Sequence, residues 1–334
     1  MIVDADQPAS IPVHVPTSPF APGSIIYKPY VCDGEARDRI DDLLNQARAA
    51  EAAGFDGVCV SEHHLGFPGY FPNPLQAVSW ILGSTERIWA APAPMLVLLR
   101  PVALVAEELA WLAARYPGRV GAAFAAGSIA ADFELAGTDQ QQLAQRFEDA
   151  LRTITELLSG KVTASQAGDP ALRALQQFAI PVASAASSLT ACRRAARVGC
   201  GVLLESSIST DEVTRQVTTY RDAGGQGPVI LVRRVWIGSD PPVALESARD
   251  QLVRATVPDY RRGAWLAPED MIVHGTVDDV ADQLATIMES TAADVLNLRV
   301  HVPGIEPSDV IRQIGLLADA LPSIRMRLAR SVRV

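Results

Sequence analysis

Short apolar runs alternate along the chain with longer stretches in which apolar residues return every three or four positions. The short runs read as eight strands: Ile11–Val15 (IPVHV), Gly57–Ser61 (GVCVS), Arg87–Ala93 (RIWAAPA), Arg119–Ala125 (RVGAAFA), Ile180–Ser184 (IPVAS), Gly201–Glu205 (GVLLE), Pro228–Ile237 (PVILVRRVWI) and Ala293–Val302 (ADVLNLRVHV). Between them lie amphipathic helices. In the first, Ile40, Leu43, Leu44, Ala47 and Ala50 keep helical spacing and Gly54 is a natural stop. Asn73-Pro74 opens another, with a capping residue followed by proline at the first helical position. Further helices are expected over PVALVAEELAWLAAR, QQLAQRFEDALRTITELLSG, SLTACRRAARVG, STDEVTRQVTTYRDAGG, PPVALESARDQLVRA, TVDDVADQLATIMEST and PSDVIRQIGLLADALPSI. Lys161–Phe178 is weakly patterned and reads as an excursion.

The strands are apolar on both faces, as expected when helices cover a parallel sheet. Eight strand–helix units in succession predict an α/β fold, the (β/α)8 TIM barrel, with insertions at its C-terminal face. A doubly wound open sheet would carry a Gly-rich turn after the first strand. HVPTSPFAPGS has no GxGxxG, and no GxxxxGK[ST] occurs. No interdomain linker or repeat is evident, so residues 1–334 are expected to form one domain.

Composition narrows the function. The 334 residues are 49% hydrophobic and 20% charged, with a net charge of −9. That balance argues against nucleic-acid binding, which needs a basic surface, and the basic tail RMRLARSVRV reads as a solvated helix end. Neither a signal peptide nor a membrane span is recognisable. Cys32, Cys59, Cys192 and Cys200 form no CxxC pair, which suits a reduced, cytoplasmic protein.

In a barrel of this kind, chemistry gathers where strands end and helices begin. Three of the five histidines, His14, His63 and His301, fall at expected strand ends, with His64 adjacent. A shared metal ion is not expected at His63-His64, because neighbouring strand residues point to opposite faces, and neither HxH nor HExxH occurs. Glu62 and Glu205, each at a strand end, are either a glycosidase pair or structural carboxylates. Ser187 and Ser188 precede a helix and are either an ordinary N-cap or part of an anion site. If their loops fold inward, Phe67, Tyr70, Phe71, Leu98, Trp236 and Trp265 would line a pocket for an apolar or aromatic molecule.

AEAAGFDGVCVSEHHLGF, NPLQ, ERIWAAPAPMLVLLRPVALVAEELAWLAARYPGRVGAAFAAG, RFEDAL, GTVDDVADQL and ADVLNLRVHVPGIEP, in that order, make the chain resemble the bacterial luciferase-like flavin monooxygenases. The resemblance covers nearly the whole chain. It implies a barrel with reduced flavin at the C-terminal mouth, and either FMN with oxygen or the deazaflavin F420. His63 is similar to the family histidine beside the flavin, the catalytic candidate. Ala91, Pro92 and Ala93 resemble the strand-three bulge, often a cis peptide, that supports the ring. Ser187 and Ser188 resemble the flavin-phosphate loop, and Val257–Asp270 a segment that covers the site.

Ala126-Gly127 departs from the family pattern, in which an arginine before the glycine grips the phosphate; Arg233 or Arg234 is a candidate to replace it. Weak flavin binding would suit an enzyme that receives reduced FMN from a separate reductase and uses O2 to oxygenate a small organic substrate. An F420-dependent oxidoreductase or a non-catalytic flavin-binding relative are the alternatives. The resemblance also implies a homodimer through the helices after strands two and three, where Trp80 and Trp111 are either contact or core residues.

Overall fold

Parallel pairing organises the chain. In the computed structural model, which describes residues 14–238, 272–300 and 305–331, the strands are β1 (Ile25–Tyr27), β2 (Gly57–Val60), β3 (Trp89–Pro92), β4 (Met95–Leu96), β5 (Ala122–Ala125), β6 (Val182–Ala186), β7 (Gly201–Leu204), β8 (Val229–Ile237), β9 (Ile272–Gly275) and β10 (Val295–Arg299). They follow the order β3-β2-β1-β10-β8-β7-β6-β5-β4, with β9 paired to the end of β8. A parallel bridge from Ala90 to Val120 links β3 to the start of β5 and closes the ring. β3 and β4 are thus two halves of one barrel strand, interrupted at the cis peptide Ala93–Pro94.

Helices cover the outside: α1 (Ala36–Ala53), α2 (Pro74–Ser84), α3 (Val102–Arg115), α4 (Ala130–Leu135), α5 (Leu143–Leu158), α6 (Pro170–Ala174), α7 (Leu189–Val198), α8 (Thr210–Asp222), α9 (Val277–Thr291) and α10 (Pro307–Ser331). Each buries one stripe. On α5, Phe147, Ala150, Leu151, Ile154, Leu157 and Leu158 face inward, the spacing of a 3.6-residue repeat. Caps set the ends: Asn73 accepts from the Gln76 N–H at 3.1 Å, and Gly54 closes α1 at φ 90°. No helix of the described residues is long and apolar enough to cross a membrane.

Seven of the expected strands form close to their predicted limits. The first does not. Ile25–Tyr27 pairs with both β2 and β10, whereas His14 and Val15 lie outside any strand and residues 11–13 lie outside the described ones. A buried three-residue run between Pro/Gly-rich turns leaves almost no periodic signal, while IPVHV imitates one. The excursion after α5 contains α6, which packs on α3. The expected helix Pro241–Ala255, the covering segment Val257–Asp270, Trp265 and His301 lie outside the described residues.

Two apolar shells result. Outward strand residues meet the helices. Inward residues, among them Ile26, Cys59, Ala91, Ala93, Ala123, Ala183, Leu203, Val232 and Val295, fill the barrel. The end where strands begin is plugged by Phe20 against Trp89, edge to face at 5.2 Å. Gly57 makes room for this plug, since a Cβ there would sit 2.3 Å from the Trp89 ring. Asp56, fully buried beside it, accepts from the N–H groups of Thr17 and Ile25 at 2.9 and 2.7 Å, and pairs with His14 and Arg325 at 2.9 and 2.8 Å. His14 therefore belongs to the closed end and not, as its place after an expected strand implied, to the mouth.

Candidate active site

Alternation along β2 sorts the residues that follow it. Cys59 faces the barrel interior, and Ser61 continues that face: its hydroxyl donates to the Ala93 carbonyl at 2.8 Å. Glu62 is buried on the other face. One of its carboxylate oxygens accepts from the Leu96 N–H at 2.8 Å; the other accepts from His64 Nε2 at 2.9 Å and lies 3.6 Å from Arg100. Both oxygens are occupied in tying the loop to β4, so Glu62 acts structurally, and His64 is held as its partner. Burial pushes the Glu62 carboxyl up, against the opposing pull of the Leu96 N–H, Arg100 and His64.

His63 has a different environment. Its ring stacks on Phe67 at 4.3 Å and meets the edge of Tyr70 at 4.7 Å. Gly69 allows this loop to lie down, because a Cβ there would fall 2.0 Å from the Tyr30 ring. His63 Nδ1 faces Asp132 Oδ2 at 3.8 Å, and both atoms are buried without a hydrogen bond. That distance is too long for one. Burial pushes the imidazole down to about 4; Asp132 opposes this, while Lys28 and His64 add to it. The ring is neutral at neutral pH. With Asp132 behind Nδ1, the tautomer carrying its proton there leaves Nε2 as a base. Asp132, on the short helix α4, falls at the rim after β5 but was given no role, as a carboxylate in a helix carries no local sign of facing a histidine some seventy positions away.

Three further side chains share this end of the barrel; Lys28 and Arg299 were missed, and Arg234 was expected only as a replacement for the phosphate-pairing arginine. Lys28 follows Ile26, Arg299 follows Asn297 and Arg234 follows Val232 by two positions, so all three share the inward face. Lys28 Nζ donates to Ser61 Oγ and, at 3.4 Å, to the Ala93 carbonyl. Arg234 donates to Ser206 Oγ at 2.6 Å. Arg299 lies over the Tyr30 and Tyr70 rings at 5.0 and 5.7 Å. Burial pushes Lys28 down and Arg234 down to about 10, with the charge of Arg299 acting in the same direction on each. Burial pushes the Tyr70 phenol up, but Arg299, Lys28 and Arg234 outweigh it and the net shift is down. Arg233 faces away from this row, donating to the carbonyls of Val232 and Glu205 at 2.9 and 3.4 Å. The available signal was charge inside apolar strands, as in VILVRRVWI.

The remaining expected residues occupy the same rim. Ala91, Pro92 and Ala93 are buried, with both alanines facing inward. The cis bond expected among them is one step later, at Ala93–Pro94, where the strand breaks between its two pairing partners. Ala126 and Gly127 follow β5. Gly127 takes φ 84°, and a Cβ there would lie 3.0 Å from the Phe133 ring. Ser187 and Ser188 follow β6 on the next strand, both exposed, and Ser188 caps α7 by accepting from the Ala191 N–H at 3.2 Å. Of the expected lining, Phe67 and Tyr70 surround His63. Phe71 instead packs toward Trp80 on α2, and Trp236 is buried among the outer-shell residues with Arg312 of α10 against it.

A barrel whose mouth carries His63 over small inward residues is the pattern expected of one family, and its model, luciferase-like monooxygenase, matches residues 18–294. The chain belongs to the luciferase-like monooxygenase family. It is 25% identical over 296 residues to the F420-dependent glucose-6-phosphate dehydrogenase of Tsukamurella paurometabola, covering 79% of this chain and 88% of that one. It is 24% identical over 205 residues to the alkanal monooxygenase alpha chain of the Kryptophanaron alfredi symbiont, covering 59% and 57%. The oxygenating constituent of 3,6-diketocamphane monooxygenase from Pseudomonas putida, solved with FMN, superposes with a TM-score of 0.71 at 17% identity, over 91% of this chain and 98% of that one. This last likeness shows the shared fold. Members of the luciferase-like family named here are oxidoreductases, some using FMN and some F420.

Proposed function

We propose that this luciferase-like protein is a flavin-dependent monooxygenase that uses reduced FMN and O2 to oxygenate a small organic substrate. The observation that carries the reading is the buried, neutral His63 with Asp132 behind it, set at the mouth beside the inward Ala91 and Ala93. The residues present fit a flavin. Alanines at 91, 93 and 126 and Gly127 leave room for a flat ring, and a group that both accepts and donates would satisfy the orphaned Nδ1 of His63 and Oδ2 of Asp132. Ser187 and Ser188, at the N-terminus of α7, would take the phosphate. The buried, unpaired Ser128 hydroxyl adds a donor beside Gly127.

Bound reduced FMN supplies the electrons for oxygen chemistry; the chain supplies orientation and a dry pocket. His63 would accept a proton at Nε2, Asp132 would fix its tautomer, and Phe67 and Tyr70 would keep water from the ring. Ala126 in place of a phosphate-pairing arginine removes a contact of about 1.5–3 kcal/mol, roughly ten- to hundredfold in affinity. That loss supports a cofactor received from a separate reductase in the cytoplasm. Trp111 and Leu104, 55% and 53% exposed on α3, support a homodimer built through that helix.

Identity to an F420-dependent dehydrogenase over most of the chain favours a second reading, F420-dependent hydride transfer at the same mouth. Anaerobic titration with reduced FMN and with F420 separates the two. Saturable binding of reduced FMN, followed by oxygen consumption on mixing with air, is the expected result. Binding of F420 with none of FMN establishes the second reading, and binding of neither cofactor overturns both.

A further inference from the structure

The barrel interior contains a charge arrangement that the flavin reading does not use. Register places Lys28, Arg299 and Arg234 in one row on the adjacent strands β1, β10 and β8: Tyr27 pairs with Leu298, the Lys28 N–H donates to the Leu298 carbonyl at 2.8 Å, and Arg299 pairs with Arg234. Adjacent strands are about 4.8 Å apart, so three cationic stems stand side by side. All three are buried, with Arg234 and Arg299 each 6% exposed. Among the described residues no carboxylate is in ion-pair range of any of them; Glu205 is felt by Arg234 only through space.

Buried like charges without a counter-ion are costly, and proteins ordinarily pair them. Here the pairing is incomplete. Arg234 Nε and Arg299 Nε are buried with no hydrogen-bond partner, and so are both amide atoms of Asn297, which is 0% exposed and faces inward one layer beneath Arg299. An arginine Nε is one prong of the fork that binds a carboxylate or phosphate with two parallel bonds. The unpaired Asn297 offers a donor and an acceptor below it.

We infer that Lys28, Arg234 and Arg299 form a binding site for an anionic group, a carboxylate or a phosphate, carried by the substrate and seated inside the barrel. Assigning the anion to the substrate rests on the flavin reading above, which gives the cofactor's own phosphate to Ser187–Ser188 after β6. An anion held on this row would anchor the substrate beside Ser61 and Ala93, residues that lead directly to His63. It would also supply a counter-charge for the row.

The test uses the full chain and two probes, inorganic phosphate and malonate, titrated calorimetrically at ionic strength held constant with chloride. Saturable binding of one anion per chain is expected, weakened at least roughly tenfold by R299Q or R234Q and unchanged by R152Q on the outer face of α5. K28M repeats the test should an arginine variant fail to fold. No saturable binding to the wild type, or equal binding by wild type and every folded mouth variant, overturns the site. A second arm compares FMN with riboflavin, which lacks the phosphate. Equal affinities of R299Q and wild type for both, with phosphate still binding to FMN-loaded protein, support the substrate assignment. A tenfold loss confined to FMN assigns the row to the cofactor and overturns it. Anion binding by a protein that takes up no flavin leaves the anion site standing while the flavin reading fails.

Discussion

The two ends of this barrel handle buried charge in opposite ways. At the closed end Asp56 is surrounded by four donors, from Thr17, Ile25, His14 and Arg325, over an aromatic plug. At the mouth three cations share a row with no carboxylate in ion-pair range among the described residues, and His63, Asp132 and Asn297 keep buried polar atoms unpaired. A folded chain acquires stability by satisfying such groups; leaving them open is a cost that a ligand can offset. The contrast sets an end whose buried polar groups are satisfied against an end whose buried polar groups stay open.

Substitutions can break that contrast. The largest effect is expected from Asp56→Asn, which leaves Arg325 without its buried partner and should cost roughly 3–5 kcal/mol in urea unfolding. Burial pushes Asp56 up, but Arg325, the two N–H groups and His14 outweigh it, and the net shift is down. Its contribution is therefore present above the ordinary carboxylate pKa and is lost as pH falls below that value. Next, His63→Gln should lower turnover with reduced FMN about 10²–10⁴-fold while reduced FMN still binds. Turnover within a factor of two of wild type would remove His63 from the chemistry.

Acid should also weaken the mouth before it touches Asp56. His63 is neutral in the folded chain down to about 4, against an ordinary value of 6.5, so the unfolded state takes up the proton first. Stability attributable to His63 is complete above 6.5 and is lost as pH falls from there through about 4, an effect of a few kcal/mol. The gap in unfolding free energy between pH 7.5 and 4.5 should shrink in His63→Gln; an unchanged gap would place the acid sensitivity elsewhere. The smallest effect is expected from Arg299→Met. It removes ring contacts with Tyr30 and Tyr70 and a 3.4 Å hydrogen bond to the Tyr70 hydroxyl, but also a buried charge with no carboxylate in ion-pair range among the described residues, so stability should change by less than about 1 kcal/mol. A loss comparable to Asp56→Asn would show that the mouth cations are structural after all.

Much of this was legible from local pattern. Seven strands, the capped helices and the position of His63 at a strand end follow from periodicity and turn chemistry, which act over a few residues. The failures share a physical cause. β1 is three residues long, and only its two partners make it a strand. IPVHV has the right composition, yet His14 is drawn to Asp56 at the opposite end of the barrel. The break at Ala93–Pro94 depends on β3 and β4 pairing with different neighbours.

By itself, then, the sequence determined the alternation that makes a parallel barrel, the order of its units and the histidine that reaches its mouth, because these depend on residues close together in the chain. Only the tertiary structure decided what surrounds that histidine. Asp132 meets His63 across the rim, and Lys28, Arg299 and Arg234 become neighbours through the register of β1, β10 and β8. Closing a barrel brings the first and last strands side by side, so charges inside apolar strands can be seen locally but their meeting in one row spanning positions 28 to 299 cannot, and its energetics are set by burial that folding alone creates.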